Sequence, residues 1–219
     1  MEAAHKPTDK RRIRGEESRK LILQAAISSI AALGLGSMTL DRVAERAGIS
    51  RGLVVFHFKS KNNLIVEVLN FLGNQYSSGW DTVVKSNSGS SMLKILRLVD
   101  YDIRFACENP QYISAWHAFW GESKGNLLYH ELVVPRDERY EKEMKQLLAQ
   151  IIDEGGYDRR ELPSITTGLF AMMFGIWVES HLNPGPDDYD KNTKATRLFL
   201  SKVFSGQPLP ETREMQQIN

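Results

Sequence analysis

Apolar residues recur along this chain at three- and four-residue steps and almost nowhere alternate with polar ones, so the pattern predicts an all-α fold. A first helix is expected over about 16–33, with Leu21, Ala25, Ala26, Ile30 and Leu33 on one face. Gly34 then stands where helices commonly end on a left-handed glycine. Thr39 is a good N-cap for a second helix over 40–47, whose Leu40, Val43, Ala44 and Ala47 form one stripe. Gly48 stops it, Ser50 caps a third over 51–58, and Ser60 caps a fourth carrying Leu64, Val68, Phe71 and Leu72. The linker-like "SNSGSS" (86–91) closes the fourth. Further helices are expected over 92–107, 111–121 and 127–153, the last kinked or split at Pro135, which removes a backbone donor and crowds the preceding turn. After the turn region "DEGGYDRREL" come two more, over 163–182 and 188–204, parted by "NPGPDD".

The stretch "AGISRGLVVFHF" (47–58) joins two short helices through a glycine, the arrangement of a helix-turn-helix. Ala44, Ala47 and Gly48 are small enough for a steep crossing, and Gly52 has no side chain to hold a DNA backbone away from the third helix's first amides. Those unpaired N–H groups and the positive end of the helix dipole suit a phosphate, and Arg51 stands beside them. Tight helical turns also occur in bundles that bind nothing, so charge has to decide. Residues 1–64 hold 12 Lys/Arg against 6 Asp/Glu, a balance of +6, whereas the remaining residues hold 16 against 21, or −5. "KRRIR" (10–14) precedes the first helix, and Lys59 and Lys61 follow the third. A basic head on an acidic body points to a polyanion met by the head alone, with strongly salt-dependent binding.

Composition narrows the class. Of 219 residues, 42% are hydrophobic and 25% charged, ordinary values for a globular protein. No run approaches the ~20 apolar residues of a membrane span. The polar N-terminus argues against export, and the single cysteine, Cys107, fits a reducing cytoplasm and is read as packing. No H-E-x-x-H, nucleophile elbow or phosphate loop is present, and His117, His130 and His181 stand singly on separate helices. No catalytic residue, metal or cofactor is therefore expected, which leaves a helical enzyme as a remote alternative.

The segment "GSMTLDRVAERAGISRGLVVFHFKSKNNLI" resembles the DNA-binding domain of TetR-family bacterial transcriptional regulators. The likeness lies in a Thr opening the second helix, V-A-x-x-A-G-I-S-x-G before the third, and Phe58, Lys61 and Leu64 at F-x-x-K-x-x-L spacing. It implies a homodimer of nine- or ten-helix chains and a division into a flexible basic arm (1–15), a DNA-binding domain (16–62), a ligand-binding and dimerisation domain (63–206) and a flexible tail (207–219). By the same resemblance the DNA face comprises Thr39, Ser50, Arg51, Gly52, Val55, His57 and Lys61, with Val54 and Phe58 in the core. Where the family commonly has Tyr-x-Tyr-Phe, this chain has Val55, Phe56, His57 and Phe58. Val55 offers methyls that could meet a thymine methyl, and His57 keeps a hydrogen-bonding edge for phosphate.

In the second half, "AWHAFWGES" puts Trp116, Phe119 and Trp120 on one helical face, and "FGIWVESHL" carries Trp177. Large aromatics at this spacing are ordinary core residues. They are also the material of a cage for a cation without N–H donors, each ring worth roughly 0.5–2 kcal/mol. "AWHAFWGES…LLYHELVVPRDERYEKEMKQLL" and "GLFAMMFGIWVES" are similar to BetI-type repressors, which implies a choline-like quaternary ammonium inducer. Asp102, beside the apolar stripe and either half-buried or at a solvated rim, or else Glu122, would supply a counter-charge. The last two helices are apolar nearly all round and so need cover on two sides, either as core of a larger monomer or against a second subunit, which would make a two-fold dimer on a two-fold DNA operator. A ligand-free DNA-binding protein would have a fully packed second domain; a regulator would have an aromatic cavity there. The fourth helix, as the only chain connection between head and body, is the expected lever between them.

Overall fold

Serine and threonine hydroxyls start the helices of the N-terminal head. In the computed structural model, which describes residues 7–86, 89–124 and 127–210, Thr39 Oγ1 accepts the Arg42 N–H at 3.2 Å and opens α2 (Leu40–Ala47). Ser50 Oγ accepts from Leu53 at 3.3 Å and opens α3 (Arg51–Phe58), and Ser60 Oγ accepts from Asn63 at 3.1 Å and opens α4 (Lys61–Lys85). Between α2 and α3, Gly48 sits at φ 66° while the Ile49 N–H reaches back to Ala44 O at 3.0 Å, closing α2 in a left-handed cap. The rest of the chain forms α1 (Pro7–Leu33), α5 (Ser91–Glu108), α6 (Pro110–Gly121), α7 (Leu127–Leu132), α8 (Val134–Gly155), a 3-10 turn (Arg159–Glu161), α9 (Leu162–Leu182) and α10 (Asp188–Val203). No strand occurs among the described residues.

Three expectations need correction. The basic segment 1–15 is not all flexible arm, because α1 begins at Pro7 rather than near Glu16. A proline costs nothing as a first helical residue, and the Lys, Arg and Glu that follow favour helix, with Arg12 and Glu16 paired at 3.7 Å. Residues 1–6, Asn87 and Ser88 of the linker and 211–219 of the tail lie outside the described residues. The buried face of α1 runs through Ile22, Ala26, Ile27 and Ile30, whereas Leu21 and Leu33 are exposed. The helix packs on α2, α4 and α6 together, so its buried surface is broader than one stripe and turned from the one expected. Finally, α9 with the turn before it, Arg159–Leu182, is long and apolar enough by length and composition to cross a membrane, although only a third of that window is buried. Its Leu162, Ile165, Leu169, Met173 and Ile176 pack inward, while Phe174 and Leu182 stay exposed.

The two apolar clusters do not follow the boundary expected between residues 62 and 63. One joins Ile30, Val43, Val54, Phe58, Leu64 and Leu72 to Ile113, Trp116 and Phe119, so α1–α4 share a core with α6. The other holds Trp80, Ile95, Leu98, Leu148, Leu169, Leu200 and Phe204 between α5, α8, α9 and α10. The connection expected of α4 alone therefore has a companion: α1 lies along α6. Pro135 splits the long helix expected over 127–153, with Val133 at the break between α7 and α8.

Candidate DNA-binding face and ligand cavity

The third helix is amphipathic in a way that separates support from contact. Val54 and Phe58, four residues apart, are buried in the shared core. Arg51, Gly52, Phe56 and Lys59 are exposed, with Val55 and His57 half-buried at the edges. A Cβ on Gly52 would meet nothing closer than Ser50 Oγ at 3.8 Å, so internal packing does not require glycine there. Arg51 Nε lies 3.1 Å from Asp41 Oδ1, which brings the start of α3 beside Thr39 at the start of α2. Lys61 Nζ donates to Gly36 O at 3.2 Å and ties the start of α4 to the same end of the head. Thr39, Ser50, Arg51, Gly52 and Lys61 thus stand at or beside the starts of α2, α3 and α4, with Val55 and His57 farther along α3. Burial, and after it the charges of Arg19 and Lys59, lower the His57 pKa, so its imidazole is neutral at pH 7.

Sequence reasoning missed Phe56. It is 67% exposed, edge-on to His57 with ring centroids 5.2 Å apart, and Lys59 Nζ lies over its face at 5.3 Å while donating to Phe56 O at 2.9 Å. A large apolar ring left uncovered among cations was legible only as an apolar residue out of phase with Val54 and Phe58. Lys59 itself closes α3 at φ 66°, a left-handed conformation that no other non-glycine residue adopts among the described residues.

In the body, five helices enclose a cavity of about 260 Å³, below the ~300 Å³ at which drug-sized sites begin. Asp102 of α5 lines it and is buried. The Tyr76 hydroxyl, from α4, donates to Asp102 Oδ1 at 2.7 Å. Burial pushes the Asp102 pKa up to about 7, against the smaller opposing pull of Tyr76 and of the nearby Trp177 indole, whose N–H falls short of hydrogen-bonding geometry. No Lys, Arg or His forms an ion pair with this carboxylate among the described residues. A shift of that size represents roughly 4 kcal/mol held against the charged form, which a cationic ligand would partly return and a neutral one would not.

Aromatic rings form the walls. Tyr76 has centroids at 5.2 Å from Tyr140, 5.5 Å from Trp177 and 5.9 Å from Trp80, and Trp80 lies 4.8 Å from Tyr140. On the far side Trp120 stands 6.0 Å from Trp177 and 5.2 Å from Phe174. The indole N–H groups of Trp116 and Trp177 are buried with no acceptor, two donors available to a ligand oxygen. Of the residues named for this site, the structure brings Asp102, Trp116, Trp120 and Trp177 to one cavity. Phe119 is a correction: it is 1% exposed in the core shared with the head and does not reach the cavity. It follows Trp116 by three residues, but the α6 face it occupies is turned toward α1. Tyr76, Trp80 and Tyr140 were missed because α4 and α8 place them, and neither helix shows the clustered tryptophans that marked α6.

The histidines read as solitary are also corrected in part. His117 of α6 and His181 of α9 stack at 4.6 Å, with His117 Nε2 3.1 Å from Trp177 O and Ser114 Oγ 3.0 Å from His181 Nδ1. Among the described residues no three side chains are grouped as metal ligands.

Residues 96–205 match the profile of the BetI-type transcriptional repressor C-terminal domain, and residues 22–68 that of the bacterial regulatory proteins of the tetR family. The chain belongs to the TetR family of transcriptional regulators. The Escherichia coli K12 regulator BetI is 24% identical over 193 residues, covering 84% of this chain and 92% of its own. A transcriptional regulator from Pseudomonas aeruginosa PAO1 superposes with a TM-score of 0.74 at 20% identity, over 87% of this chain and 92% of that one. Another, from Saccharomonospora viridis and solved in complex with choline, gives 0.73 at 19% identity, over 85% and 96%. This TetR-family regulator is thus a DNA-binding repressor by family, with a head and a body of the same fold as those relatives.

Proposed function

We propose that this TetR-family regulator binds a two-fold DNA operator as a homodimer and is released by a small quaternary ammonium inducer of the choline class. The observation that carries the inducer is Asp102, a buried carboxylate without a cationic partner inside an aromatic cavity. A cation without N–H donors would be held by ring faces and neutralised by that carboxylate, while the free indole N–H groups donate to its oxygen. The choline complex of the Saccharomonospora viridis regulator supports the same class. An open cavity also counts against a ligand-free DNA-binding protein.

On the DNA side, Thr39, Ser50, Arg51, Gly52, Val55, His57 and Lys61 meet the duplex, the backbone amides and cations on phosphate and the α3 face on base edges. The homodimer forms through α9 and α10, whose exposed Phe174, Leu182 and Leu198 would otherwise face water. Operator binding places the protein in the cytoplasm, where its DNA is. Inducer in the cavity favours a state in which the two heads no longer match half-sites 34–36 Å apart. Fluorescence anisotropy on operator fragments selected from random DNA, at two salt concentrations and with or without choline, tests this. Tight, salt-sensitive binding weakened by choline is expected; operator binding that choline leaves unchanged would sink the inducer class.

A further inference from the structure

We propose that Arg136 couples the cavity to the DNA-binding head by gripping α4 across Gly73; the inference rests on the ligand-responsive reading above. Arg136 lies in the first turn of α8, one residue after the proline that splits α7 from α8, and it lines the cavity. Its guanidinium lies flat on α4 where a side chain is missing: a Cβ on Gly73 would stand 1.5 Å from Nη1 and 2.5 Å from Cζ. From there Nη1 donates to Leu69 O at 3.4 Å, and Nη2 to Asn70 Oδ1 at 3.4 Å and Asn74 Oδ1 at 3.3 Å. Leu69, Asn70, Gly73 and Asn74 are spaced to form one face of α4, so the glycine is the floor of a cradle shaped for this one group.

These bonds are long, near the limit of useful geometry, and no carboxylate lies within ion-pairing distance of Arg136 among the described residues, although Asp137 beside it feels its charge. The grip is therefore easily remade. A cation seated against Asp102 would share a cavity of about 260 Å³ with the guanidinium, and the like charges would drive Arg136 off its cradle. What Arg136 releases is the helix that follows the recognition helix directly. Leu64, Val68, Leu69 and Leu72 of α4 are buried in the same core as Val54 and Phe58 of α3, so a shift of α4 is felt where α3 is seated. Arg136 is in this sense a positioning residue. It contacts neither DNA nor the carboxylate that holds the cation.

Two single variants cut the link from opposite sides. Gly73→Ala fills the cradle and displaces only the far end of a flexible side chain, and Arg136→Gln removes the charge and the fork. Choline binding to the full-length protein is read by tryptophan fluorescence without DNA. Operator affinity is read by anisotropy on the selected fragment, with and without saturating choline. Without the grip α4 rests in its released position, so both variants are expected to bind the choline-free operator more weakly, toward the parent's choline-bound affinity. They should bind choline at least as tightly as the parent, since no grip has to be broken. The ratio of operator affinities without and with choline, about 5–150-fold in a coupled regulator, should fall below about threefold in each variant, and the double variant should be no worse than either single one. Two variants that keep the parent ratio would overturn the proposal, as would a matching loss of choline binding, which would make Arg136 a ligand contact. A parent protein indifferent to choline would overturn the inducer reading and this coupling with it.

Discussion

Two carboxylates set the pH behaviour expected of the cavity: Asp102, and Asp137 in the wall beside Arg136. Desolvation raises the Asp137 pKa to about 6 against the pull of the Arg136 guanidinium. The Asp102 pKa is raised above its ordinary value to about 7, so the charged form opposes folding, fully so above pH 7, and the opposition fades as pH falls through 7 toward 4. Ligand binding has the reverse dependence, because a cation needs the carboxylate ionised. Choline affinity should therefore drop as pH is lowered from 8 to 6, although choline itself does not titrate in that range. Asp102→Asn should remove most of this dependence and leave the smaller part near pH 6 that belongs to Asp137, weaken choline about tenfold or more at pH 8, and stabilise the unliganded protein by about 1–3 kcal/mol. Titrations of tryptophan fluorescence and urea melts at both pH values check the three effects. Phe56 makes the other residue-scale prediction. If the exposed side of α3 enters the groove as proposed, the Phe56 ring there meets a thymine methyl, so Phe56→Ala should weaken operator binding about tenfold with little change in stability. Replacing the contacted thymine by uracil should weaken the parent and leave that variant indifferent; equal losses in both would dismiss the contact.

Elements were legible where a short polar residue or a glycine punctuates the chain. Thr39, Ser50 and Ser60 cap the helices expected of them because an N-cap is a local hydrogen bond, formed within three residues. Pro135 split its helix for an equally local reason. Gly48 is the joint on which the head depends, with φ 66° closing α2. Gly48→Ala should cost about 1–2 kcal/mol, seen as a lower urea midpoint with unchanged slope, since only the left-handed backbone is penalised and no side-chain space is lacking. The start of α1 and the turn of its buried face were not legible in the same way. Leu21 and Leu33 satisfy a helical period as well as Ile22 does, and only the presence of α2, α4 and α6 around the helix decides which of them water reaches.

At the scale of the whole molecule, the apolar residues α9 and α10 leave exposed are the proposed dimer seam. Leu198 is 60% exposed and lies outside the cavity lining, which makes it the cleaner test. Leu198→Glu should convert a dimer to a monomer in sedimentation and, by removing the second head, reduce operator affinity by at least a hundredfold while leaving choline binding in place. A monomeric parent, or a dimeric variant, would move the seam elsewhere. The sequence by itself determined the helical class, the caps, the glycine joint, the basic head and the family, because each rests on neighbours within a few residues or on a motif of set spacing. Only the tertiary structure decided that Asp102 is buried, that Tyr76, Trp80 and Tyr140 join the tryptophans around it while Phe119 turns toward α1, and that Arg136 lies on Gly73. Those facts depend on which faces of α4, α5, α6 and α8 meet, and the period of a single helix carries no record of its partners.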